Sequence, residues 1–465
     1  MEFKFKKIDI SKDDIYRYDK LNRKTEVENL TLLLTNISSP IVLSINSPWG
    51  TGKTTFVQML NEELLSNNEI SILFNAWETD YAKDPLLAFL GEMNIALESQ
   101  LKGSNSQAWK QAKTIGINIL KSSIPAIIRI GTAGIIDASE IIKEETSKLL
   151  EGFSDDLIKE YTKNKEAIHK FKKNISQAIA SIDGENKKLY IFVDELDRCR
   201  PTYAIELLER IKHLLDIKGL VFVLSLDKEQ LSHSIKSIYG SNFDAIGYLK
   251  RFIDIEYKLD TKNIVQFIDY NFDFFNFKSF FESRTKYDDF RNESSILRKV
   301  LLLLINNLEM TLREIEQLFA KLNLVLLSTK ENIYIYPELL AFLVIISERY
   351  PNIYKNYISK SNKTNEAIDC LYSIIPENER YNSYECANLE ANLLAAKTNN
   401  GNFADAIETH NKIIEDGNQT AEAKSYSNRV ITAFNQTIIL RNRISLNSIV
   451  SRIEMLEKYN FNMSE

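Results

Sequence analysis

Ile41-Val42-Leu43-Ser44-Ile45 runs into Asn46-Ser47-Pro48-Trp49-Gly50-Thr51-Gly52, and Lys53-Thr54-Thr55 opens a helical pattern. A short β-branched run, a Gly-containing turn and a Lys-Thr pair are the layout of a phosphate-binding loop. Glycines let successive backbone N–H groups point at one anion without a Cβ in the way. A helix starting near Lys53 adds the positive end of its dipole. Lys53 then reaches the β/γ-phosphates, and the Thr54 hydroxyl takes one position on Mg²⁺. Ser47 stands where the general signature has Gly. Taken alone, the stretch fits a phosphate loop and a plain strand-turn-helix with a capping Thr equally well.

At 465 residues the chain is long enough for two to four domains. Its apolar and charged fractions are those of a soluble globular protein, with low Gly and Pro. The formal net charge of -6 gives no global basic field for nucleic acid, although a local basic groove stays open. Cys199, Cys370 and Cys386 are scattered and odd in number, which fits a reducing cytoplasm and no disulfide framework. The 4 His residues show no metal-ligand spacing. The N-terminus, Met1-Glu2-Phe3-Lys4-Phe5-Lys6-Lys7, lacks the apolar core of a signal peptide.

Strands and helices alternate around the loop. Apolar periodicity predicts helices over Val27–Leu34, Thr54–Leu65, Thr202–Leu215 and Lys228–Ile238, and a further helix starting at Pro85. Apolar runs predict strands at Ile70–Phe74, Leu189–Val193, Leu220–Leu226 and Ile253–Leu259. Continuous apolar strands between helices imply a parallel sheet covered on both faces. The interval 100–188 interrupts this alternation. Its core, Ile115–Ile136, would span roughly 33 Å as a helix. Lys121, Pro125 and Arg129 within it are costly or disruptive in a bilayer and favour a soluble or peripheral hairpin. After Lys262 helices take over. The run Leu297–Leu308 is strongly apolar, Thr311-Leu312-Arg313-Glu314 is a capping box opening a helix to Leu326, and Pro337–Arg349 is closed by Pro351. The polar, Asn-rich tail after Ser361 carries helices near Ala404–Ile414 and Leu446–Tyr459.

A second anchor follows the strand Leu189–Val193. Asp194 there sits at the carboxyl edge of the sheet, where open α/β folds bind ligands. Asp194 is a candidate Mg²⁺ ligand and Glu195 a candidate polariser of attacking water. A surface acidic turn is the alternative. Ser225 and Asp227, at the end of the next strand, are candidates for sensing the γ-phosphate, and Asp227 is equally suited to capping a helix. Arg198, Arg251 and Arg313 could place positive charge at the transition state, or serve as surface or salt-bridging arginines.

Several stretches together closely resemble the KAP family of phosphate-loop NTPases. They are Ser47 to Phe56, Phe74-Asn75-Ala76-Trp77-Glu78 with Asp84-Pro85-Leu86, Val193 to Pro201, Val221 to Asp227, Tyr248 to Phe252, and Thr311 to Glu316. They occur in order over roughly residues 15 to 325. The resemblance implies a sheet of the hydrolytic type related to signal-transducing and AAA-like ATPases. It implies ATP and Mg²⁺ as cofactors, with Lys53 and Thr54 on phosphate and Mg²⁺, Asp194 on Mg²⁺ and Glu195 assisting hydrolysis. Leu21 to Glu26 is similar to the nucleotide-adjacent Arg element of relatives, with Asn22 where Gly is common, and so nominates Arg23. Many members carry membrane helices in the interval that holds Ile115–Ile136, and bacterial members include proteins that restrict phage.

The expectation is therefore an α/β P-loop fold with its core in 1–99 and 189–260. A helical insert over 100–188, a lid-like helical domain over 261–360 and a helical region over 361–465 complete it. Trp49, Gly50, Thr51, Gly52, Lys53, Thr54, Thr55 and Arg23 form the nucleotide site, Thr54 and Asp194 hold the metal, and Glu195, Lys53, Arg251 and Arg313 perform catalysis. The function read from this is Mg²⁺-dependent ATP hydrolysis driving a switch or an assembly, in anti-phage defence. A homo-oligomer or an effector protein is the expected partner. The competing expectations are a nucleotide-gated scaffold with little turnover and a peripheral membrane ATPase at the inner face of the membrane.

Overall fold

The computed structural model describes residues 10, 14–82, 84–100, 110, 114, 166, 169–170, 172–180, 188–212, 214, 216–259, 264–359, 364–398, 403–440 and 446–457. The run Ile115–Ile136 lies outside them. No helix among the described residues is long and apolar enough to cross a membrane. Two compact units emerge, one over Ile8–Asp260 and one over Met1–Lys7 with Thr261–Glu465.

The first unit is built on five parallel strands: β1 (Ile41–Asn46), β2 (Ile70–Asn75), β3 (Leu189–Asp194), β4 (Leu220–Leu226) and β5 (Ile255–Lys258). Their order across the sheet is β2-β3-β4-β1-β5, which places β4 between the loop strand and the acidic strand. Side-chain alternation sorts the strands onto two faces. Leu43, Ile45, Tyr190, Phe192, Val221 and Val223 pack with α1 (Lys24–Asn36) and α2 (Lys53–Ser66). Val42, Ile191, Val193, Phe222 and Leu224 pack on the other face. There they meet α3 (Pro85–Gln100), α4 (Pro201–Ile211), α5 (Lys228–Tyr239) and α6 (Ala245–Leu249). Burial on both sides is why β3 is apolar up to Asp194 and β4 is apolar but for Ser225. The edge strand β5 is shorter than the run Ile253–Leu259 predicts, and Glu256 and Lys258 within it face water. Helix α4 also stops early, at Ile211.

Among its described residues the second unit contains helices and turns, without strands. The apolar run becomes α9 (Glu293–Asn307), after α7 (Ile264–Phe274) and α8 (Phe277–Glu282). The capping box at Thr311 opens α10 (Leu312–Leu327), as its residues predict. Helix α11 (Pro337–Arg349) follows, and Pro351 then starts α12 (Pro351–Ser359), a first-turn use of Pro. A fully buried Arg284 donates to both carboxylate oxygens of the fully buried Glu293, between the rings of Phe280 and Phe290. The tail is more ordered than its polar composition predicts. It forms α13 (Thr364–Ile374), α14 (Glu377–Asn382), α15 (Tyr384–Lys397), α16 (Phe403–Ala406), α17 (Glu408–Glu415), α18 (Ala421–Leu440) and α19 (Leu446–Glu457). The buried Glu390 ties four of these together, accepting from Tyr372, Tyr426 and a His410 ring nitrogen.

Candidate nucleotide site

The chain leaves β1 at Asn46 and enters α2 at Lys53 through a turn whose left-handed residues are Gly50 (φ 76°) and Gly52 (φ 81°). These are the positions where a Cβ would strain the backbone. Ser47 is not among the left-handed residues, so a side chain is tolerated there. Its hydroxyl donates to Thr51 Oγ1 at 2.6 Å, and Thr51 Oγ1 donates to the Pro48 carbonyl at 2.8 Å. Helix α2 begins on Gly52 with no side-chain cap. By contrast, Asp227 caps α5 by accepting from the N–H groups of Glu229 and Gln230, each at 3.1 Å. The N–H groups of Lys53, Thr54 and Thr55 precede the first intrahelical bond of α2, from Phe56 to Gly52 at 3.1 Å. They are orphan donors at the positive end of a helix.

Lys53 is 9% exposed, and its ammonium donates to the carbonyls of Ser47 and of Pro48, the latter at 3.0 Å. Burial pulls its pKa below the usual lysine range, and the carboxylates of Asp197, Asp227 and Asp194 oppose that shift. Arg23 approaches the turn from α1. Its guanidinium donates to the Thr51 carbonyl at 3.1 Å and to the Gly52 carbonyl at 3.4 Å. Asn22 takes φ 54°, a left-handed value that Asn accepts more readily than most residues.

The acidic end of β3 lies within electrostatic reach of Lys53. Asp194 continues the face of Tyr190 and Phe192, which is the α2 face, and its Oδ1 accepts the Glu195 N–H at 3.0 Å. Glu195 adopts φ 59°, a left-handed value for a residue with a side chain. Such outliers cluster at functional sites. Its carboxylate is held from two sides, by Asn75 Nδ2 at 3.3 Å and by Arg198 at 3.2 Å. The buried Asp197 accepts from the Trp49 indole N–H, and burial pushes its carboxyl above the ordinary range. Ser225 is buried on β4, beside Ile45 in register, with no hydrogen-bond partner for its Oγ among the described residues.

The structure thus brings Trp49 to Thr55, Arg23, Asp194 and Glu195 to one edge of one sheet. It does not bring Arg251 there. Arg251 is exposed three residues before Asp254, whose N–H donates to the Val42 carbonyl at 3.0 Å. That contact lies at the start of β1, about 13 Å of strand before Asn46. Arg313 is exposed in the first turn of α10, in the other unit. Asn75 and Asp197 were legible only as members of motifs, without roles. Their partners, Glu195 and Trp49, are 120 and 148 residues away in the chain.

No curated protein matches the chain. A solved structure described as a DNA replication initiation factor aligns with 96% of this chain and 95% of its own, at 11% identity and a TM-score of 0.26. A likeness at that level says nothing about what this chain does. A family model described as "KAP family P-loop domain" matches residues 23–328, well over half of the 465 residues. With the phosphate-loop turn, the acidic strand end and the strand order on which that match falls, the chain belongs to the KAP family of P-loop NTPases.

Proposed function

We propose that the chain is a Mg²⁺-dependent ATPase whose nucleotide state drives a switch or an assembly. The observation that carries this reading is the uncapped N-terminus of α2 beside Lys53, within electrostatic reach of the acidic end of β3. The backbone from Trp49 to Thr55 supplies N–H groups for the phosphates. Two of the three Lys53 donors hold loop carbonyls, and the third serves a phosphate oxygen. The Thr54 hydroxyl and the Asp194 carboxylate are hard oxygen donors of the kind Mg²⁺ takes. No group of three or more His, Cys, Asp or Glu residues among the described residues could hold a metal unaided. One or two protein oxygens beside phosphate fits how Mg²⁺ is usually bound. When bound, the cation neutralises phosphate charge. Glu195 orients an attacking water and accepts its proton. Arg313, or an arginine of a neighbouring subunit, adds positive charge at the transition state. The preference for ATP rests on the family resemblance.

Equilibrium binding and phosphate release test this together. Lys53→Ala is expected to lose Mg·ATP binding. Glu195→Gln is expected to bind as wild type while turnover falls by about 10²-fold or more. Equal turnover in wild type and Lys53→Ala would sink the proposal. A defence role would fail with the same Lys53→Ala substitution, read as phage plating efficiency.

A second reading, a nucleotide-gated scaffold with little turnover, draws on one observation. Both oxygens of Glu195 are already engaged, by Asn75 and Arg198. Phosphate release over many turnovers by wild type excludes it.

A further inference from the structure

Arg23 is the residue before α1, and it is 4% exposed. Its backbone is fixed from the preceding turn, because Asp19 Oδ1 accepts the Arg23 N–H at 2.9 Å and Oδ2 accepts the Lys24 N–H at 2.8 Å. The two guanidinium contacts go to consecutive peptide units, those beginning at Thr51 and Gly52. In a planar trans peptide the carbonyl of one residue and the N–H of the next point in opposite directions. A donor that holds the carbonyls of Thr51 and Gly52 on one side therefore turns the N–H groups of Gly52 and Lys53 to the other. The carbonyls of Ser47 and Pro48 are held in the same manner, by Lys53 Nζ and the Thr51 hydroxyl. Carbonyl oxygens that would repel an anion are thus tied to the chain's own donors.

The side chain suits this task. A guanidinium is a rigid planar fork that reaches two acceptors at once, whereas an ammonium is a point donor on a flexible stem. The Phe56 ring, 5.9 Å from the guanidinium carbon, limits its movement.

We propose that Arg23 is a positioning residue, which sets the phosphate affinity of the turn by fixing its last two peptide planes and does so without touching the ligand. This rests on reading the turn as a nucleotide site. The test is calorimetric titration with Mg·ATP and with inorganic tripolyphosphate, which has neither base nor ribose. Wild type, Arg23→Gln, Arg23→Lys and Lys53→Ala are compared, and thermal unfolding of each is recorded.

Arg23→Gln is expected to weaken both ligands by the same factor, on the order of tenfold, with Arg23→Lys between it and wild type. Loss of ATP binding with tripolyphosphate binding intact would mean that Arg23 contacts base or ribose, and overturns the proposal. Binding of both ligands within twofold of wild type overturns it too, whatever happens to the Tm. So does a wild type that binds ATP but not tripolyphosphate. If Arg23→Gln fails to fold, Arg23→Lys decides, and affinities equal to wild type are the adverse result. Wild type that binds neither ligand, or Lys53→Ala that binds as well as wild type, removes the nucleotide-site reading itself.

Discussion

Ser47 and Trp49 define what the turn between β1 and α2 asks of a side chain. Ser47 departs from the general glycine pattern where the backbone stays out of the left-handed region, and its hydroxyl braces Thr51. Trp49 reaches across to the acidic segment and gives its indole N–H to Asp197. Asp197 is buried, so a lost donor leaves a desolvated carboxyl with one partner fewer. Trp49→Phe keeps most of the ring and removes that donor. It is expected to cost about 1–3 kcal/mol in urea-induced unfolding, and an unchanged midpoint would show that the contact carries no stability. Asp194 and Glu195 were legible in the sequence because an apolar run ends on them. The roles of Asp197 and Asn75 were not, because each depends on a partner that only packing brings near.

Helix ends carry the clearest contrast between elements. Asp227 closes α5 and Thr311 with Glu314 closes α10, whereas α2 begins on a bare glycine. An end left open beside a buried lysine has its donors free for an external anion. Helix α11 poses a different problem, because it buries a carboxyl. Desolvation pushes Glu338 up to about 7, against hydrogen bonds from its own backbone N–H and from Asn388, the latter at 3.4 Å. A raised carboxyl pKa makes the folded state bind the extra proton. Its contribution to stability is therefore full below the ordinary value of 4.5 and is lost as pH rises through about 7. Unfolding free energy should fall from pH 5 to pH 8 in wild type. Glu338→Gln should remove up to ~3 kcal/mol of that fall. Glu316, also raised to about 7 by burial, sets a residual slope. Identical slopes in wild type and variant would refute the assignment.

At the scale of the chain, strand order makes the site. With β4 between β1 and β3, the phosphate turn and the acidic pair open on the same edge, and Ser225 lies between them. The second unit is helical among its described residues. If nucleotide state drives assembly, light scattering should report a larger mass for Glu195→Gln with Mg·ATP than without it. Lys53→Ala should show no change, and a mass independent of nucleotide in Glu195→Gln would exclude the assembly reading.

Short-range patterns were enough to nominate the phosphate turn and to mark the apolar strands, the acidic strand end and the capped start of α10. Each depends on steric and periodic rules acting over a few neighbouring residues. In the polar tail the helices near Ala404–Ile414 and Leu446–Tyr459 were legible, whereas others, such as α15, were not, because buried polar groups such as Glu390 gain partners only after packing. The direction in which Arg23 faces the turn, the engagement of Glu195 by Asn75, and the removal of Arg251 to the far edge of the sheet were likewise decided by long-range contacts. Local sequence rules cannot specify contacts between residues 28 to 212 positions apart, because they form only when the whole core excludes water and sets each backbone in place.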